Sequence, residues 1–338
     1  MTNEVDIKEN DILKNDRELL NILLFDHTTR RNIFWATDNY AKHGEGFQVN
    51  DEITIERITG RHGNLVKPRV KKSKAEQLLR VRDKAEVFTP SWICNMQCNL
   101  VDEAWFGRKN VFNTETTEVD DKHSWIVNDE KITFPEGLTW KDYIRLNRME
   151  ITCGEAPYLV SRYDTTTGAL IPIQKRIGFL DRKLRIVNEN TETSGEWLEA
   201  AQDAYKSIYG YEWQGDNLLL AREALLYTFI DYYRYKFNKE PLLKSLKYIA
   251  YIVSWNLWQM DGIKMVVPNS CNNNVEVMEK TLFGEQKKMA FCEGCQTENM
   301  RKHNGTYCMI KDWRAKDPTT NKMGKKIRFV DLNKDSRR

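Results

Sequence analysis

Residues 148–159 read RMEITCGEAPYL: an apolar approach, an acid, one glycine, a second acid, then apolar residues again. The reading of this turn decides how the middle of the chain folds. A loop that cradles a pyrophosphate needs several glycines, so that backbone N–H groups can close on the anion. This turn has Gly154 alone, with Ala156 and Pro157 after it. The alternatives are a turn that holds a cofactor and an ordinary strand end followed by a helix. A ligand bound here would not be a pyrophosphate.

Two more strand ends lie downstream. Residues 208–226, IYGYEWQGDNLLLAREALL, read as a strand closed by Glu212, a turn, and a long helix that continues through LLYTFIDYYRYKF. Its aromatic residues suit a core helix better than a base-stacking platform. Residues 242–262, LLKSLKYIAYIVSWNLWQMDG, read as a helix running into a third strand end near Asp261. WLEAAQDAYKSI (197–208) is a further helix, whereas 160–195 is poorly periodic. Strands alternating with helices predict an α/β domain with a parallel sheet over residues 85–268.

Upstream, RELLNILLF (17–25) and KSKAEQLLRVRD (72–83) read as helices, and QVNDEITIERITG (48–60) alternates like a strand. FTPSWICNMQCNLVDEAWF (88–106) is a helix with Thr89 as N-cap and Pro90 at the first helical position. In it Cys94 and Cys98, one turn apart, read as packing residues. Residues 108–140 are loop-rich, with a short strand expected at KITF (131–134), and KKIRFVDL (325–332) reads as a terminal strand. The expected organisation is a basic, mostly helical region 1–84, the α/β domain 85–268, and a cysteine-containing segment 269–338.

Composition narrows the function classes. At 338 residues, 41% apolar and 30% charged, the chain can bury a full core. It has no apolar run of membrane-spanning length, and MTNEVDIKENDILKND is not a signal peptide. Seven cysteines without an export signal read as reduced thiols in a cytoplasmic protein. Residues 57–84 carry ten Lys or Arg against two acids. Such a block could meet nucleic-acid phosphates, or be a solvated basic face. No P-loop, H-E-x-x-H or G-x-S-x-G motif occurs, and His27, His43, His62 and His123 share no ligand spacing. There is no Pro-Asp pair of the kind restriction nucleases use.

In an open α/β sheet, ligands sit outside the carboxyl ends of the strands. Acids at three such ends suit a nucleoside with a cationic tail: Glu212 for the ribose hydroxyls, Asp261 for an exocyclic amine, and Glu150 or Glu155 for an ammonium. In this order the chain resembles the N6-adenine DNA methyltransferases of restriction–modification systems, and more closely short proteins described as restriction endonuclease subunit M. KAEVFTP (84–90), with Phe88, Thr89 and Pro90, resembles their early F-x-T-P motif. MEITCGEAPYL, with Glu150, Thr152, Cys153, Gly154 and Glu155, resembles their D-P-x-C-G-x-G-x-F-L loop, from which Ala156 and Pro157 depart. The 208–226 stretch resembles the ribose motif, with Glu212 and with Trp213 against adenine; NLWQMDG, with Asp261, resembles the third. The resemblance covers about residues 85–265. It implies a Rossmann-like class I methyltransferase fold, S-adenosylmethionine as cofactor, and DNA as substrate.

Methyl transfer to adenine N6 needs a flipped base, an aromatic stacking partner and acceptors on the amine. The family supplies these from an N-P-P-Y or D-P-P-Y/F loop. None of the eight prolines here is adjacent to another, and Asp317-Pro318-Thr319 is the nearest approach. The chain stops at Arg338, where such a motif would be expected to follow. Two readings result. One is the cofactor-binding half of a split methyltransferase, completed by a second methyltransferase or specificity polypeptide. The other is a non-catalytic methyltransferase-fold subunit that binds DNA or assembles a complex.

One motif stands apart. FCEGCQTENMRKHNGTYC (291–308) gives Cys292, Cys295, His303 and Cys308 in a C-x2-C-x7-H-x4-C spacing, which suits a structural zinc knuckle. The alternative is a set of reduced thiols around a small hairpin.

Overall fold

The computed structural model describes residues 5–6, 9–117, 123–282 and 284–332. Residues 1–4 and 7–8 of the acidic N-terminal stretch, and 333–338 of the closing stretch, lie outside the described residues. In chain order the elements are α1 (Glu9–Asn15), α2 (Arg17–Leu24), the pair β1 (Phe25–Asp26) and β2 (Arg31–Asn32), α3 (Ile55–Ile58), α4 (Lys74–Lys84) and α5 (Ser91–Phe106). The hairpin β3 (Asn113–Thr117) and β4 (His123–Val127), α6 (Trp140–Ile144), β5 (Arg148–Glu150), α7 (Phe179–Asn190), α8 (Ser194–Tyr205) and β6 (Ile208–Glu212) follow. Then come α9 (Gly215–Phe237), α10 (Leu243–Asn256), β7 (Leu257–Gln259), the hairpin β8 (Val275–Thr281) and β9 (Gly284–Ala290), α11 (Glu293–Thr297), and the hairpin β10 (Met309–Lys316) and β11 (Met323–Arg328).

The chain is mixed α/β, built on several small sheets. The sheet that matters has three strands in the order β5-β6-β7, all parallel. Glu150 pairs in register with Gly210, and Glu212 with Gln259. Each crossover carries two helices, α7–α8 and then α9–α10. This is the βαβ pattern that strand–helix alternation predicted over 148–262.

Helix α9 is the centre of the molecule. Leu218, Leu219, Ala221, Leu225, Leu226 and Phe229 are buried on all sides of it, as in a helix with no solvent face. Arg222 is buried with them. Its guanidinium donates to the carbonyls of Leu23 (2.6 Å), Phe25 (3.1 Å), Ser254 (3.2 Å) and Leu257 (2.6 Å). A cation placed on the carbonyl ends of α2 and α10 satisfies acceptors those helices cannot satisfy themselves. The N-terminal helices therefore lock onto the sheet, and Ile12, Leu20, Trp35 and Trp313 all belong to the same apolar core as α9.

Several local expectations change. Residues 48–60 form a single bridge at Glu52 and then α3, because Ile55 and Ile58 also satisfy a helical spacing. KITF forms no strand; the Ile132 N–H donates to the Glu189 carboxylate instead. The loop-rich 108–140 region contains the β3–β4 hairpin, and the poorly periodic 160–195 region contains α7. That helix buries Asp181, Arg182 and Lys183, so its inner face does not read as apolar. Helix α5 begins at Ser91 with Pro90, not Thr89, at the cap position. The Asp164 carboxylate, from a distant loop, accepts from the Ser91 N–H at 2.7 Å and supplies the cap. Cys94 and Cys98 are fully buried in α5. KKIRFVDL is strand through Arg328 and then a turn of tighter helix, Phe329–Asp331. No helix among the described residues is long and apolar enough to cross a membrane.

Candidate cofactor pocket and metal cluster

A cavity of about 880 Å³ opens at the carboxyl ends of β5 and β6. That is the size of a small-molecule or cofactor site. Glu150 and Glu212, the last residues of these two strands, both reach it. Of the residues singled out by sequence, Phe88, Thr89, Glu150, Thr152, Cys153, Gly154, Glu212 and Trp213 line it. They come from three segments separated by about sixty residues each.

The turn after β5 is wound tightly. Thr152, Gly154 and Ala156 all have positive φ, at 45°, 54° and 61°. Two of the three are not glycine, so the turn carries strain that its contacts must offset. A Cβ added at Gly154 would lie 3.2 Å from the Phe88 ring. The glycine thus lets the early motif and the loop pack against each other. The Gly154 N–H donates to Glu212 Oε2 at 2.8 Å, and the Gln214 N–H donates to Oε1 at 3.1 Å. Burial pushes the Glu212 carboxyl up to about 7, against those two N–H groups, with the nearby Asp216 and Glu86 charges adding to the rise. Burial also holds Glu150 well above the ordinary carboxylate range, although Tyr158 and Leu159 N–H groups donate to it. Trp213 is fixed by its indole N–H, which donates to the Ala36 carbonyl at 3.1 Å.

Three residues that sequence reading missed complete the wall. Thr37 Oγ1, Glu86 Oε1 and Asn217 Oδ1 are buried side-chain oxygens with no hydrogen-bond partner in the protein, and all three residues line the cavity. The other Glu86 oxygen is held by Arg80 (2.7 Å), Gln214 (3.0 Å) and Asn217 (3.1 Å). Arg80 in turn binds the Asp216 carboxylate, and Tyr40 donates to the same carboxylate at 2.7 Å. Buried acceptors left without donors are costly unless a ligand supplies them. Glu86 stands two residues before Phe88 within KAEVFTP and Asn217 lies in the first turn of α9, but nothing in the sequence marks either as a site residue.

Three expected site residues lie elsewhere. Pro90 is at the cap of α5 and does not line the cavity. Glu155 is buried away from it: its carboxylate accepts from the Arg69 backbone N–H and the Tyr163 hydroxyl. Asp261 accepts from the N–H groups of Ile263 (2.9 Å) and Lys264 (3.1 Å), closing the 261–266 turn. The acid beyond β7 therefore shapes a turn, and β7 does not line the cavity; Gln259 at its tip braces the backbone beside Trp213. Its amide donates to the Trp213 carbonyl at 2.9 Å and the Phe34 carbonyl at 2.8 Å.

The basic block 57–84 divides. Lys72 and Arg80 are buried against Asp216, Lys84 pairs with Asp38 and Arg82 with Asp83. Arg61, Lys71 and Lys74 are exposed.

The cysteine cluster forms with one member changed. Cys271, Cys292, Cys295 and His303 bring one ligand atom each within 4.8 Å of one another, and the group could hold a metal ion. Cys271 Sγ lies 3.5 Å from Cys292 Sγ, 3.6 Å from Cys295 Sγ and 3.6 Å from His303 Nδ1. Cys292 and Cys295 lie 3.4 and 3.6 Å from the same nitrogen. Cys308 is not part of the cluster. It is fully buried behind β7, where its thiol donates to the Gln259 carbonyl at 3.3 Å. Sequence spacing favoured Cys308 because it follows His303 closely. Cys271 is separated from Cys292 by the whole β8–β9 hairpin, and pairing of the two strands brings the cysteines together.

No protein-family model, curated protein or solved structure matches this chain.

Proposed function

We propose that the chain binds S-adenosylmethionine and is the cofactor-binding half of a DNA adenine-N6 methyltransferase of a restriction–modification system. The observation that carries this reading is the cavity at the tips of β5 and β6. Motif residues from three distant segments line it together, and three buried oxygens in its wall lack donors. On this reading the parallel strands β5-β6-β7 with their paired crossover helices belong to a Rossmann-like class I methyltransferase sheet.

The donor set suits the cofactor. Glu212, held by two backbone N–H groups, presents its remaining lone pairs to both ribose hydroxyls. Glu86 Oε1 and Asn217 Oδ1 accept from the ammonium of the methionyl end. Trp213 offers an apolar face to the adenine, and the turn at Phe88 and Thr89 lies toward the methionine end. S-adenosylmethionine would supply an electrophilic methyl group. The chain's own contribution is to orient it, exclude water and place carboxylates around its positive charge. A partner polypeptide bearing an N-P-P-Y-type loop would receive the flipped adenine and accept hydrogen bonds from its amine. DNA would approach over the exposed part of the basic block, at Arg61, Lys71 and Lys74, and over that partner.

The absence of adjacent prolines in this sequence favours a second reading, a non-catalytic DNA-binding or assembly subunit. Isothermal titration with S-adenosylmethionine separates the two. Binding that Glu212→Ala abolishes supports the first. No binding, alone or with the partner polypeptide present, rejects it.

A further inference from the structure

We propose that Cys271, Cys292, Cys295 and His303 bind one zinc ion, and that this ion holds the β8–β9 appendage in shape. The geometry is that of a tetrahedron. With Zn–S near 2.3 Å and Zn–N near 2.0 Å, tetrahedral ligands lie about 3.8 Å apart for two sulfurs and about 3.5 Å apart for sulfur and nitrogen. The observed separations are 3.5 and 3.6 Å for two sulfur pairs and 3.4, 3.6 and 3.6 Å for the three sulfur–nitrogen pairs. Hydrogen bonding would need Cys271 to donate one bond and accept two at once, whereas one central ion accounts for all five separations together.

The surroundings are those of a closed zinc knuckle. Cys292 caps the short helix α11 and Cys295 lies within it. The Asn304 N–H points at Cys292 Sγ at 3.4 Å, which stabilises a thiolate. Gly294 is required, because a Cβ there would lie 2.6 Å from the His303 backbone nitrogen. Three thiolates and one imidazole fill all four positions, leaving none for substrate or water. The ion is therefore structural. Three sulfur ligands in tetrahedral array select zinc over magnesium or calcium.

The ion has work to do there. Cys271 precedes β8 and Cys292 follows β9, so the metal clasps both feet of the hairpin, and His303 ties in the returning strand of chain. Among the described residues, none between 268 and 307 belongs to either apolar core cluster. A segment of this length without a core needs a cross-link or a metal to hold one shape. This inference does not rest on cofactor binding at the β5–β6 pocket.

The test is metal content by mass spectrometry on the purified full-length chain, before and after dialysis against zinc. Wild type should carry one zinc per chain and Cys308→Ala should keep it. Cys271→Ser should retain less than about a tenth. Cobalt substitution provides a second readout, since three-thiolate tetrahedral cobalt shows strong visible ligand-field bands that Cys271→Ser should lose. Limited proteolysis after chelation should open cleavage sites between 272 and 304 while the rest of the chain resists. A wild type without zinc after reconstitution, or a Cys271→Ser chain that retains it while Cys308→Ala does not, overturns the assignment.

Discussion

Glu212 should make cofactor affinity depend on pH in a defined direction. Its carboxyl is raised from about 4.5 to about 7 by burial. That shift corresponds to about 3 kcal/mol against the ionised form in the empty pocket. Ribose hydroxyls donating to the carboxylate would replace lost hydration and return its pKa toward the ordinary range, so binding should expel a proton below pH 7. The cofactor's amino group, with an ordinary value near 8, stays charged throughout pH 5 to 7. Burial also holds the Glu150 carboxyl well above the usual carboxylate range. Glu212 alone then predicts affinity about 40-fold weaker at pH 5 than at pH 7, approaching a slope of one decade per pH unit. Isothermal titration in two buffers of different ionisation heat measures both the affinity and the proton released. Methylthioadenosine, which keeps the ribose and lacks the amine, should show the same slope. Glu212→Gln should flatten it. An unchanged affinity across pH 5 to 7 in wild type, with no proton release, would refute the role given to Glu212. The same shift acts on the fold itself. The stabilising contribution is complete below pH 4.5 and is lost as pH rises through about 7, so Glu212→Gln should gain stability relative to wild type from pH 5 to pH 8.

Other outcomes follow from the same geometry. Gly154→Ala should cost roughly 1–2 kcal/mol in chemical denaturation and weaken cofactor binding, because it forces a Cβ toward Phe88 at a φ of 54°. Arg222→Met should cost roughly 3–5 kcal/mol, since it strips donors from four buried carbonyls on α2, α10 and the adjoining strands; thermal unfolding measures it. Asp261→Ala should lower stability through the 261–266 turn and leave cofactor affinity within about twofold of wild type, in contrast to the role its place in the motif order suggests.

What the sequence revealed depended on whether chemistry and burial agreed. The three parallel strands were legible because each ends in or just before an acid, and because β6 leads straight into the apolar helix α9. Helix α9 was legible because nearly every face of it is hydrocarbon. Helix α7 was hidden because Asp181, Arg182 and Lys183 are buried in ion pairs and hydrogen bonds, which periodicity reads as surface. The β3–β4 hairpin was hidden because NTETT and HSWIV alternate weakly and one strand is mostly polar. At the pocket, motif order identified Glu150, Gly154 and Glu212, but the same order misplaced Asp261, whose short side chain is taken up by its own turn. Glu86, Thr37 and Asn217 were invisible because their importance lies in unfilled hydrogen bonds, a property of three dimensions. The metal quartet shows the same limit. Nearness in sequence nominated Cys308, whereas strand pairing delivered Cys271.

The most direct measurement is a crystal structure of the chain grown with S-adenosylmethionine. The nucleoside should lie in the hollow between Phe88, Glu212 and Trp213, with its ribose hydroxyls on the Glu212 carboxylate and the methionyl ammonium toward Glu86 and Asn217. Cofactor bound at any other surface, or that hollow empty at saturating cofactor, would contradict this placement.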